Sequence, residues 1–431
     1  MERATLSLLN TDDDTHPSPM MTMPTLSSIR QLIQDENLSI HFQPIISLRQ
    51  NGVVGLEALA RPEARPGAAP LNVWEMFQAA HREGSLVDLD RLCRAKALRL
   101  FNTLPRTRAP RPLLFLNFAT AILDRGVEGS GHLRQAVADA GLEPGDVVLE
   151  IEESRVADAA ALERFVDRHR EMGFLIAIDD MGTGDSNLPR ISALRPQILK
   201  LDRSLIEGID SNFFKQETFK SLANLAHRIG CMILAEGVET EAEVDTCAGL
   251  GAELFQGYFF ARPAALETLR DLSVAPAIDA ASHRQREAAV RDIQVRRAQA
   301  GQMRRLSDAA RTALAAADPT GFDVVLERLV KTEWEIECAY LLDRNGLQVT
   351  PTHSAPRAIR QASRLFSPAL KGTNHSNKPY FYGLVDAGLE RYTTDSYLSI
   401  ATGRMCRTVS SVVARQDGTK IILCLDLKEG A

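Results

Sequence analysis

The sequence predicts an α/β chain: a TIM-type (β/α)8 barrel with one reversed strand, followed by a smaller α+β domain. Three observations carry that reading. Eight short apolar runs alternate with longer amphipathic segments between about residue 25 and Pro263. The first two runs are separated by little more than Arg49-Gln50-Asn51-Gly52, where a parallel crossover needs about a dozen residues or more. Beyond an Ala-, Arg- and Gln-rich stretch, strand-like runs return with hairpin turns between them.

Taken in order, residues 1–24 include Thr11-Asp12-Asp13-Asp14-Thr15-His16-Pro17-Ser18-Pro19 and show no periodicity, so a disordered tail is expected. The barrel domain is expected over residues 25–268. Its strands are His41 to Ile46, Val54 to Ala60, Leu113 to Phe118, Val147 to Glu153, Phe174 to Asp180, Gln197 to Asp202, Cys231 to Val238 and Leu254 to Phe260. Eight strands in roughly 240 residues match a closed barrel, and the short first connector makes the first pair an antiparallel hairpin. A helical linker is expected over 269–318, with Val290, Ile293, Met303, Leu306 and Leu314 at helical spacing and an interruption or bend near Gly301. Its arginines are interspersed with acids, which favours a solvated linker or dimer helix over an RNA- or membrane-binding one. From 319 to 431, Glu337 to Asp343, Gly346 to Pro351 and Lys420 to Leu427 read as strands, turned at Asp343-Arg344-Asn345-Gly346 and Gln416-Asp417-Gly418.

The totals narrow the function. With 50 Lys+Arg against 56 Asp+Glu, a net charge of -6, the chain is no nucleic-acid binder relying on a global positive field, and no nucleic-acid polymer is expected as a partner. The six cysteines are scattered without a CxxC pair, so neither a disulfide framework nor a structural zinc site is suggested. No apolar stretch is long enough to span a bilayer, and the N-terminus lacks the basic start and apolar block of a signal peptide. A soluble cytoplasmic protein is therefore expected.

The chemistry is concentrated at strand ends. Ile176-Ala177-Ile178-Asp179-Asp180-Met181-Gly182-Thr183-Gly184 reads as a buried strand closing on two adjacent carboxylates. Two like charges about 4 Å apart repel by roughly 4 kcal/mol at an effective dielectric near 20, so a cation should sit beside them. In a barrel the carboxyl ends of the strands converge on one face. That places Glu57, Asn117, Glu150, Asp179, Asp180, Lys200, Asp202 and Glu236 near one mouth. Any one of these acids could be a helix cap or an ion-pair partner. Together, carboxylates and an amide without clustered His or Cys are hard oxygen ligands suited to Mg²⁺ or Mn²⁺. Gly182-Thr183-Gly184 could cradle a phosphate or simply permit a tight bend.

The same residues resemble the EAL-domain cyclic di-GMP phosphodiesterases. Glu57-Ala58-Leu59, with Arg61 after it, matches the signature. The likeness continues in order through Gln43-Pro44-Ile45, Leu116-Asn117, Glu150-Ile151-Glu152-Glu153-Ser154, Asp179-Asp180, Lys200-Leu201-Asp202-Arg203, Ala235-Glu236-Gly237-Val238-Glu239-Thr240 and Gln256-Gly257-Tyr258, over about residues 25 to 265. The resemblance implies hydrolysis of cyclic di-GMP to linear pGpG with two ions, Mg²⁺ or Mn²⁺, per active site. One ion would be held by Glu57, Asn117, Glu150 and Asp179, the other by Asp179, Asp180 and Glu236. Lys200 would orient or activate the attacking water, and Gln43, Arg61 and Gln256 would contact the dinucleotide. Glu153 would anchor the loop after Asp180, Asp202 and Glu239 would be supporting acids, and a homodimer is implied.

The chain departs from that family at one place. Met181 stands where an aromatic is usual, and Asp185-Ser186-Asn187 where Tyr-Ser-Ser is common. Since this loop couples dimer contacts to metal binding in the family, regulation is expected to differ here. The C-terminal segments Asp343 to Thr350, Lys378-Pro379-Tyr380-Phe381 and Asp395-Ser396-Tyr397-Leu398-Ser399 resemble PAS-like sensory domains of the Cache type, implying a sensory or dimerisation domain with an unknown small ligand. Two other readings stay open: a non-catalytic cyclic di-GMP receptor signalling through the C-terminal domain, and a scaffold that binds no nucleotide.

Overall fold

The computed structural model describes residues 27–63, 71–104, 111–120, 123, 131–152, 158–181, 188–271, 274–358 and 365–428. The chain divides into two compact units, Met1–Ala289 and Val290–Ala431.

In the first unit, eight strands close a barrel in sequence order: β1 (Leu38–Ser47), β2 (Gly52–Pro62), β3 (Leu113–Phe118), β4 (Val147–Glu152), β5 (Leu175–Met181), β6 (Ile198–Leu201), β7 (Met232–Glu236) and β8 (Leu254–Gln256). Strand β1 runs antiparallel to both neighbours, and every other pair is parallel. The reversed strand follows from the short first connector, as the sequence requires. Among the described residues, ten α-helices accompany the strands: α1 (Ser27–Gln34), α2 (Val73–Arg82), α3 (Leu86–Asn102), α4 (His132–Asp139), α5 (Ala159–Glu171), α6 (Leu188–Leu194), α7 (Arg203–Ile206), α8 (Phe213–Arg228), α9 (Glu241–Leu250) and α10 (Leu266–Asp271). Where a helix starts sharply, side chains satisfy its first N–H groups: Asn72 and Thr240 each form a capping box, with Glu75 and Glu243.

Two apolar layers position the site. The larger lies between strands and helices, with Phe42, Leu116, Ile151, Ile178, Leu201 and Ala235 facing outward. The smaller plugs the barrel's interior with Ile45, Phe115, Val148, Ala177, Ile198, Leu234 and Leu254. Because strand side chains alternate with period two, the next inward residue on each strand is fixed. Two positions along from this plug stand Gln43, Asn117, Glu150, Asp179, Lys200, Glu236 and Gln256. On β2 the plug position is Gly55, where a Cβ would lie 2.5 Å from the Phe115 ring. Two residues on from it stands Glu57. The barrel interior is thus an apolar floor under a complete polar storey.

Helix α11 (Ala275–Ala316) follows. It is continuous through Gly301, which corrects the expected interruption: one glycine costs a helix roughly 0.5–1 kcal/mol relative to alanine. Ala298, Ala300 and Gln302 around it are strong helix formers. Ile278 and Ala281 belong to the core of the first unit, whereas Ala310 and Leu314 belong to that of the second.

The second unit adds α12 (Phe322–Thr332), β9 (Ile336–Leu342), β10 (His353–Ser354), α13 (Pro379–Val385), β11 (Arg391–Thr393), β12 (Tyr397–Leu398), β13 (Met405–Ala414) and β14 (Lys420–Lys428). The sheet order is β10-β9-β14-β13-β11, with β12 also on β13, and every pairing is antiparallel. The turn at Gln416-Asp417-Gly418 joins β13 to β14 as expected. The expected strand from Gly346 to Pro351 is reduced to isolated bridges at Leu347 and Gln348. There Thr350 accepts the Leu341 N–H on its hydroxyl at 3.1 Å, so a side chain replaces a ladder carbonyl. Among the described residues no helix is long and apolar enough to cross a membrane.

Candidate active site

The polar storey converges on Lys200. Its Nζ lies 2.6 Å from Glu150 Oε1, 2.7 Å from Glu236 Oε1, 3.1 Å from Asp179 Oδ1 and 3.9 Å from Glu57 Oε1. Lys200 and Glu150 are each only 1 % exposed, so these charges meet with little help from water. Asn117 Nδ2 donates to Glu57 Oε1 at 3.1 Å, and Gln256 donates to the other oxygen of Glu57 and, at 3.2 Å, to Gln43. Gln43 in turn donates to the Ala261 carbonyl at 3.1 Å.

The adjacent acids at the end of β5 depart from strand geometry. In a regular strand they would face opposite sides. Asp180 instead takes φ +55, and the β5–β6 register shifts between Ile178 and Met181. Such irregularities gather at functional sites because they re-aim side chains. The Asp180 N–H donates to Asp179 Oδ1 at 3.0 Å, and carboxylate oxygens of Asp179, Asp180 and Glu236 all fall within 4.8 Å of one another.

Four carboxylates therefore share one ammonium group, with Asp180 as a fifth acid beside Asp179 and Glu236. Burial, and then the charges of Glu57, Asp179 and Glu236, hold the Glu150 carboxyl well above its usual range despite Lys200. Burial likewise pushes Glu236 to about 8, against the pull of Lys200 and with the push of Asp179 and Glu57. Asp180 is pushed to about 7 by burial and by Asp179 and Glu152. Burial opposes the charge on Lys200, but Asp179, Glu150, Glu236 and Glu57 outweigh it and keep the amine protonated. Glu150 Oε2 is buried with no hydrogen-bond partner. An all-oxygen donor set with an orphaned carboxylate oxygen and excess negative charge fits a hard divalent cation.

The remaining expected residues fall around this centre. Arg61, at the mouth end of β2, donates to its neighbour's carbonyl, Ala60 O, at 2.8 Å. Asp202 caps α7 by accepting the Ser204 N–H at 2.8 Å. Glu239 pairs with Arg203 at 3.0 Å. Arg203 also donates to the Gly237 carbonyl, so it ties down the segment that leaves Glu236. Sequence reasoning gave Arg203 no role, although its place beside Lys200 and Asp202 was a signal. Met181 is 1 % exposed and packs in the strand–helix core. Glu153 and residues 182–187, which include the Gly-rich turn and Asp185-Ser186-Asn187, lie outside the described residues.

Comparison with known proteins gives the chain's family and relatives. Residues 26–263 match the family described as EAL domain. Cyclic di-GMP phosphodiesterase NbdA of Pseudomonas aeruginosa is 31% identical over 254 residues, covering 59% of this chain and 32% of NbdA. Cyclic di-GMP phosphodiesterase RocR of the same organism is 28% identical over 249 residues, 56% of this chain and 61% of RocR. The chain thus spans less than two thirds of the length of these relatives. Among solved structures, PaMucR phosphodiesterase in complex with c-di-GMP gives a TM-score of 0.52 at 28% identity, over 57% of this chain and 98% of that one. The Bacillus subtilis YkuI protein, with an EAL domain and in complex with substrate c-di-GMP and calcium, gives 0.75 over 95% of this chain and 100% of its own. At 22% identity that likeness is one of fold.

Proposed function

The chain belongs to the EAL-domain family, and on that premise we propose that it hydrolyses cyclic di-GMP to linear pGpG. The observation that supports this most is the complete oxygen-donor storey around Lys200, with no ligand position of the resemblance replaced. Glu57, Asn117, Glu150 and Asp179 would hold one Mg²⁺ or Mn²⁺ ion, and Asp179, Asp180 and Glu236 a second. Bound there, such ions lower the pKa of water and stabilise charge on the attacking and leaving oxygens of an in-line displacement.

The chain's own residues supply positioning. Lys200, kept protonated by its acids, donates hydrogen bonds at the centre of the cluster and orients the attacking water. Gln256 and Asn117 fix Glu57 from two sides. Arg61 at the mouth offers a guanidinium for a phosphate of the dinucleotide, with Gln43 and Gln256 below it. Asp202, Glu239 and Glu153 support the segments that carry these groups.

The second unit is read as a PAS/Cache-like sensory or dimerisation domain over 319–431, joined to the 25–268 barrel domain through the helical segment 269–318. It would regulate the barrel through a small ligand or through a homodimer, in the cytoplasm. A second reading, a non-catalytic receptor of the same nucleotide, draws on the departures at Met181 and Asp185. An Asp179→Asn variant separates the two readings. It removes a ligand common to both ions, so an enzyme loses pGpG production while a receptor keeps its calorimetric binding of cyclic di-GMP.

A further inference from the structure

Helix α3 packs against β1 and β3 and buries Leu86, Leu89, Ala97, Leu98 and Phe101. Two charged residues interrupt that apolar face one turn apart: Asp90, 3 % exposed, and Arg94, 8 % exposed. They pair with one another. Both then reach the segment that leaves β3. Asp90 Oδ1 accepts the Ala119 N–H at 3.3 Å, and the Arg94 guanidinium lies 4.9 Å from the centre of the Phe118 ring. The residue just before these two is Asn117, which holds Glu57. One residue beyond them, Thr120 donates to the Glu152 carbonyl at 3.2 Å and so ties the β3 exit to the β4 exit, two residues past Glu150.

A buried ion pair is a poor source of stability, because removing two charges from water costs about as much as their attraction returns, and apolar residues of similar size often do as well. What Asp90 and Arg94 provide that leucine and methionine would not is a fixed acceptor for one backbone N–H and a flat cation over one ring, both directly beyond Asn117 at the end of β3. From this geometry we infer that the Asp90–Arg94 pair is a positioning device for Asn117, setting the reach of its amide toward Glu57 and toward the first ion. The inference rests on the metal reading of the storey above. Asp90 and Arg94 touch neither substrate nor ion, so their effect is on affinity for the ion.

The test uses the full chain, with Mn²⁺ binding read from the electron paramagnetic resonance signal of free Mn²⁺ and with melting and steady-state kinetics alongside. Asp90→Asn keeps an oxygen for Ala119 and loses the ion pair. The double variant Asp90→Leu/Arg94→Met replaces the pair by apolar groups and is expected to melt no lower than the wild type. The double variant should bind Mn²⁺ about tenfold more weakly, the scale seen when outer partners of metal ligands are removed, with Asp90→Asn in between. At saturating Mn²⁺, the KM for cyclic di-GMP should stay within about twofold of the wild type, since no substrate contact is lost. Unchanged Mn²⁺ affinity in a folded double variant overturns the positioning role and leaves the metal reading intact. A wild type that binds no Mn²⁺ overturns the metal reading and this inference with it.

Discussion

Lys200 Nζ lies 2.6 Å from Glu150 Oε1, and both side chains are shut away from solvent at the centre of the barrel mouth. Two core strands thus end in opposite charges that neither could bury alone. The ammonium group is surrounded by three further acids, so it neutralises only part of the cluster. The rest of the charge is what suits the site to divalent ions.

Removing that ammonium should expose the imbalance. Without metal at pH 8, Lys200→Met is expected to lose roughly 3–5 kcal/mol of stability, as for other buried pairs stripped of one partner. Added Mn²⁺ should raise its melting temperature more than it raises that of the wild type. Differential scanning calorimetry with and without Mn²⁺ reads both effects.

The polar storey depends on the apolar floor. A Cβ on Gly55 would lie 2.5 Å from the Phe115 ring, two residues below both Glu57 and Asn117. Gly55→Ala should therefore destabilise the first unit by about 1–3 kcal/mol through overpacking. It should also lower kcat, because the displaced ring carries β3 with it. Melting curves and turnover measured on the same preparation check this.

The second unit carries its own pH dependence. Asp426 is buried, and its carboxyl is pushed up to about 7 by that burial and by Glu337, against the hydrogen bond it accepts from Thr408. A raised folded pKa means that the folded state holds the proton more tightly than the unfolded one. The contribution is complete below the ordinary value of 3.8 and is lost progressively as pH rises to about 7. Over that window wild type should lose on the order of 4 kcal/mol relative to Asp426→Asn, which cannot titrate. The difference in melting temperature between the two proteins, followed from pH 4 to pH 8, is the readout.

Much of this was legible in the sequence, for identifiable reasons. The barrel strands are short apolar runs, most of them separated by helices, and the four residues from Arg49 to Gly52 admit only a hairpin. The site residues could be placed because they close those runs. What stayed hidden depends on long-range partners. Strand β13 buries Thr408, Ser410 and Ser411, polar residues on both of its faces. Thr408 bonds to Asp426, and Ser411 to Ser307 of α11, partners that no local pattern shows. The turn of Asp180 into positive φ was equally out of reach, since it depends on the register shift against β6. Asp90 and Arg94 did leave a trace, as two charges on an otherwise apolar helix face.

The central claim is that the storey around Lys200 is a metal-dependent phosphodiesterase site. It is tested most directly by chromatographic product analysis of cyclic di-GMP incubated with wild type and Glu57→Ala, each with Mn²⁺ and with chelator. The expected result is pGpG from wild type with Mn²⁺ alone, and at least about a hundredfold less from Glu57→Ala. Equal pGpG from both proteins, or none from wild type with Mn²⁺ or Mg²⁺, would contradict it.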